Sequence, residues 1–133
     1  MAEQGGGGPS LVPFGGEGAR PLVQGYGDGG FRISDRRIEG GVLVTPDTVR
    51  AWTVTRPEDI TADSLLPLLA EAGPLDVLLI GTGASLQPLP AEVRAALKER
   101  GIAADPMDTG AACRTIGLLM AEGRAAGAAL IPV

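Results

Sequence analysis

The side chains this sequence could use for chemistry fall in two short stretches. The first is "MDTGAACRT", with Asp108, Thr109, Gly110, Cys113 and Arg114. A thiol beside an arginine, near an expected helix start, has the parts of a nucleophile. The positive end of a helix and a neighbouring cation both favour the thiolate. The second is Gly81-Thr82-Gly83, directly after the apolar run "DVLLI". Loops that leave such strands hold ligands in many α/β proteins, and their backbone N–H groups can meet an anion. Together they outline a pocket between the Gly81–Gly83 loop and the Asp108–Arg114 helix start, able to hold a small ligand or a substrate.

Each stretch also has a plainer reading. If Asp108 caps the helix, Cys113 lies a full turn inside it, and "GAAC" suits a helix face pressed on a sheet. A free cysteine there behaves as a small buried hydrophobe. The Asp108 carboxylate is expected to accept the N–H of Gly110 or Ala111, which would oppose a bound anion. Arg114 could cross to Asp105, pair towards Glu122, or stay exposed for a partner. "GTGASLQPLP" is neither a Walker loop nor a dinucleotide fingerprint: no GK[ST] follows, the only lysine is Lys98, and the third glycine is missing. It reads equally well as a tight exit turn from a buried strand. Trp52, the one large aromatic, is placed in the core, and Glu58-Asp59 as solvated charge near a helix entry.

The elements that must position these residues follow from pattern. "LVQGYGDGGFRI" reads as strand, turn and strand, with Asp28-Gly29 as the hairpin turn. "GGVLVTP" and "VRAWTV" give two short strands. "TADSLLPLLAEAG" reads as a helix capped by Thr61 or Asp63 and closed near Gly73, with Pro67 near its first turn. "DVLLIG" suits a strand buried on both faces. "LPAEVRAALKERG" is an amphipathic helix with Gly101 as its stop. "IAADP" is a short strand, "DTGAACRTIGLLMAEGR" the third helix, and "GAALIPV" the last strand. The order is a hairpin, one or two further strands, then α-β-α-β-α-β. This predicts a single α/β domain of three layers, with a central mixed sheet, helices packed on it, and N-terminal hairpin strands. Residues 1–20 hold seven of the 21 glycines and two prolines and read as a flexible tail, with the domain over 21–133.

Composition narrows the functions open to the chain. There is no histidine, so the usual metal ligand, the usual base near neutral pH and every Cys-His dyad are missing. One cysteine permits no internal disulfide and fits a reducing compartment. The net charge is −5, shared evenly between the halves, which speaks against nucleic acid and against a polybasic membrane anchor. No segment is apolar and long enough to span a membrane, and the N-terminus has no apolar signal core, so a cytoplasmic protein is expected.

"GYGDGGFRI", "GVLVTPDTVRAWTV", "DVLLIGTG" and "MDTGAACRT…EGR…AALIPV", in that order and spacing, resemble the Mth938-like domain family (DUF498), over roughly residues 20–133. The family includes small bacterial proteins of unknown function and a mitochondrial complex I assembly factor. The resemblance implies the three-layer α/β fold, no established catalytic residue and no cofactor. It implies protein partners, such as respiratory-complex subunits or assembly intermediates. It draws attention to Asp108–Thr115 and to Gly81 and Gly83. Many relatives have an aromatic and an asparagine after the first motif, where this chain has Ile116 and Gly117, so a pocket built from that pair would be altered here. A non-enzymatic accessory protein is the reading favoured over a small-ligand protein or enzyme.

Overall fold

The computed structural model describes residues 19–133. The tail assigned to residues 1–20 lies outside the described residues except for its last two. Of these, Arg20 donates from Nη1 to the Arg124 carbonyl at 2.9 Å and lies against the Met120 sulfur.

Strands β1 (Val23–Gly27), β2 (Gly30–Ile33) and β3 (Arg36–Glu39) form a three-stranded antiparallel meander. Asp28 and Gly29 both take positive φ, 54° and 81°, and make the tight turn expected of them. β3 was not expected. Its only apolar residue is Ile38, and the charged run "RRIE" offers no alternation to read. The turn before it uses Ser34 and Asp35, both at positive φ. The Gln24 side chain clamps it, accepting the Asp35 N–H at 2.7 Å and donating to Asp35 Oδ1 at 2.9 Å.

Next come β4 (Gly41–Val44), β5 (Val49–Trp52), a 3-10 turn at Pro57–Asp59, α1 (Ala62–Leu69), β6 (Val77–Gly81), α2 (Ala91–Glu99), β7 (Ala103–Met107), α3 (Thr109–Ala121) and β8 (Ala126–Leu130). The five later strands make one mixed sheet in the order β5-β4-β8-β6-β7. β6 pairs in parallel with β7 and β8, and β4 runs antiparallel to β5 and β8. The continuous apolar run of β6 is explained by neighbours on both edges and layers on both faces.

Alternate residues feed two cores. Leu43, Trp52, Leu78, Ile80 and Ala129 face α1 and α2, joined by Leu65, Val93 and Leu97. Val42, Val44, Leu79, Ala128 and Leu130 face the other way, onto Ala112, Ile116 and Met120 of α3 and Phe31 and Ile33 of the small sheet. The three layers are thus α1 with α2, the five-stranded sheet, and α3 beside the meander. Trp52 is 2% exposed, and its indole N–H donates to Ser64 Oγ at 3.3 Å.

Thr61, not Asp63, caps α1 in a reciprocal capping box with Ser64. Two details of this helix differ from expectation. Pro67 is the sixth residue rather than a first-turn one; it lies on the exposed face, where the Asp63 carbonyl it leaves unpaired can be hydrated. The helix ends at Ala70 without a glycine stop, its last turn tightening through Glu71 N–H to Leu68 O and Ala72 N–H to Leu69 O. Gly73 instead packs against the Asp47 side chain. α2 ends as expected: Gly101 at φ 74° donates to Lys98 O, and Ile102 donates back to Leu97 O.

Candidate functional site

The sheet register sets Gly81, Met107 and Leu130 side by side at the carboxyl ends of the three parallel strands. The chain leaves β6 towards α2 on one face and β7 towards α3 on the other. A crevice between two such divergent exits is where open α/β sheets hold ligands. Here the two exits bond to each other. Thr82 N–H donates to Met107 O at 2.9 Å, and Thr109 N–H to Gly83 O at 2.9 Å. Gly83 N–H donates to Thr109 Oγ1 at 3.0 Å, and that hydroxyl donates on to Ile131 O at 2.7 Å. Thr109 is fully buried and Thr82 nearly so. A Cβ on Gly81 would come within 3.0 Å of the Thr109 Cα and Oγ1, so glycine is what lets the helix start sit on the strand end.

The anion-binding parts are committed elsewhere. The N–H groups of Thr82 and Gly83 reach protein acceptors, and Thr82 Oγ1 accepts the Gln87 N–H at 2.9 Å. Asp108 Oδ1 accepts the Ala111 N–H at 2.8 Å, one of the two donors expected for it. Gly81, Thr82, Gly83, Asp108 and Thr109 are therefore brought together as one hydrogen-bonded corner.

Gly110, Cys113 and Arg114 face a different way, towards β1. Cys113 and Arg114 border a shallow depression of about 220 Å³ with Gln24, Tyr26 and Gly117. Any side chain at Gly110 would collide with the Tyr26 hydroxyl, 2.6 Å from a Cβ placed there. Cys113 is 6% exposed, and burial pushes its thiol up from 9.0 to about 11. Arg114 pulls the other way, by less. The arginine thus fails to outweigh lost solvation, the reverse of an activated nucleophile. Arg114 itself is exposed and makes no ion pair among the described residues. The described residues also contain no cluster of three or more metal-ligating side chains.

Two surface features were not read from the sequence. One is an open groove of about 430 Å³ beside the strand ends, bordered by Arg56, Pro57, Ser85, Gln87 and Pro132. The other is an apolar hollow of about 160 Å³ between β1 and α3, over Val23, Ile116, Gly117 and Met120. Leu22 lines it and stands exposed, and Tyr26 is exposed in the neighbouring depression. The run "IGLLM" is apolar throughout, so its spacing could not show which residue faces outward.

The fold, the filled crevice and the small-residue helix start define an α/β domain of the Mth938-like kind. A Mth938-like domain from Bordetella pertussis superposes with a TM-score of 0.76 at 33% identity, covering 91% of both chains. Residues 23–131 match the family described as a protein of unknown function (DUF498/DUF598), and the chain belongs to that family. An uncharacterized protein of Rhodobacter capsulatus is 40% identical over 116 residues, 87% of each chain. The NADH dehydrogenase [ubiquinone] 1 alpha subcomplex assembly factor 3 of Danio rerio is 39% identical over 114 residues. That match takes in 86% of this chain and spans 66% of the zebrafish protein's length.

Proposed function

We propose that this protein is a non-enzymatic accessory factor that assists assembly of an NADH dehydrogenase complex by binding other proteins. The observation that carries the reading is the match to assembly factors across nearly all the described fold. The corner chemistry agrees with it: the strand-end crevice is filled by its own hydrogen bonds, and the one thiol is buried and held protonated. Among the described residues no helix is long and apolar enough to cross a membrane. The proposal places the protein in the cytoplasm, acting on subunits or assembly intermediates.

Deleting the gene in its source organism and measuring the assembled NADH dehydrogenase complex on native gels tests this. The expected result is a lower level of complex, restored by the intact gene. An unchanged level in the deletion would overturn the reading.

A further inference from the structure

The hollow of about 160 Å³ and the depression of about 220 Å³ share Val23 and Gly117, so they form one groove along the seam between β1 and α3. We infer that this groove docks an extended segment of a partner protein in which two acidic residues flank an apolar one. The inference rests on the binding role proposed above and names the surface and the partner chemistry for it.

Charge makes the case for that occupant. The protein carries a net charge of −5, yet among the described residues no carboxylate lines the groove. Its charged residues are Arg20 at one end and Arg114 at the other. Arg20 is held in place by the carbonyls at the end of α3 and by Met120. Arg114 is exposed and without an ionic partner among the described residues. Between them the lining is mostly apolar, with Gln24 and Tyr26 on the β1 side, and at Gly117 nothing lies within 4 Å of where a Cβ would stand. That leaves room for an incoming side chain.

The backbone favours an extended occupant. Among the described residues β1 pairs with β2 alone, and it is the strand of the meander that packs against α3. Gly27 and Gly30 close a two-residue turn and form the hydrogen-bonded pair, so the next pair, Tyr26 and Phe31, is the other kind. The Tyr26 N–H and C=O therefore point away from β2, as strand addition requires. Arg114 and Met120, which Arg20 touches, are six residues apart, about 9 Å along α3. Residues i and i+4 of an extended chain are about 13 Å apart and point the same way. With the reach of two arginine side chains, acids at i and i+4 meet both cations and the residue at i+2 meets the Gly117 opening.

The test is a titration of ¹⁵N-labelled protein with the capped peptide Glu-Thr-Leu-Thr-Glu, with Lys-Thr-Leu-Thr-Lys as the control. The expected result is amide shifts confined to residues 20–26 and 113–121 with the acidic peptide alone. Arg114→Glu should weaken binding about tenfold, as loss and reversal of one exposed charge contact predicts. Leu22→Asp, at an exposed residue that lines the hollow, should weaken it as well. Both positions are exposed, so the variants keep the fold, and their unchanged remaining spectra show it. Shifts elsewhere, no shifts, or equal shifts with the basic peptide would overturn the groove assignment. Such a failure leaves the gene-deletion result standing, whereas an unchanged deletion strain sinks the accessory role whatever the peptide does.

Discussion

Cys113 should react slowly in the folded protein, and the size of the effect follows from its surroundings. Burial moves its thiol from 9.0 to about 11. Two units cut the thiolate present at pH 7 to 8 by about 100-fold, and the thiolate is the species that attacks. Limited access at 6% exposure slows the reaction further. Labelling with iodoacetamide at pH 8 is therefore expected to run at least about 100-fold slower in native protein than in guanidinium. Between pH 7 and 10 the native rate should climb about tenfold per unit without levelling near 8.5. The sign for stability follows too. The folded pKa lies above the unfolded one, so the contribution is full below about 9 and is lost as pH rises towards 11. A native rate within tenfold of the unfolded rate, or a plateau below pH 8.5, would refute the reasoning and return Cys113 to the nucleophiles.

Thr109→Val should lower stability by about 1–3 kcal/mol in urea melts, because it leaves Gly83 N–H and Ile131 O unpaired in a buried corner. Thr109→Ser should recover most of that loss. Gly81→Ala should cost about 1–3 kcal/mol by overpacking against Thr109 and Leu130, whereas Gly117→Ala, with open space around it, should gain up to about 1 kcal/mol of helix propensity. Opposite shifts of the two melting midpoints are the check. Asp108→Ala should cost about 0.5–2 kcal/mol through the lost cap on Ala111 N–H, read by the same melts.

Elements with a strong period or a strong stop signal were legible. The Asp28-Gly29 turn, the β6 run and the Gly101 stop each follow from local chemistry. What escaped was decided by tertiary surroundings. β3 has one apolar residue and exists because Gln24 clamps the Ser34-Asp35 turn and Ile38 joins the core behind Phe31. Pro67 is tolerated past the first turn because its face of α1 meets water. For the candidate site, the sequence suggested a pocket between the Gly81–Gly83 loop and the Asp108–Arg114 helix start, and the structure sets the loop and Asp108 at neighbouring strand ends. It could not show that Thr109 would bond both loops, nor that Gly110, Cys113 and Arg114 would turn towards β1. Helical spacing orders residues around an axis, and only packing decides which side meets the sheet. The groove along α3 was hidden for the same reason.

The central claim is that this protein acts through its surface and not through its thiol. The most direct measurement is the level of assembled NADH dehydrogenase complex in the deletion strain carrying Cys113→Ala, with the variant's own level checked alongside. Full restoration, equal to that by the unaltered gene, is the predicted result. A well-folded Cys113→Ala protein that leaves the complex unassembled would contradict the claim and make the thiol part of the function.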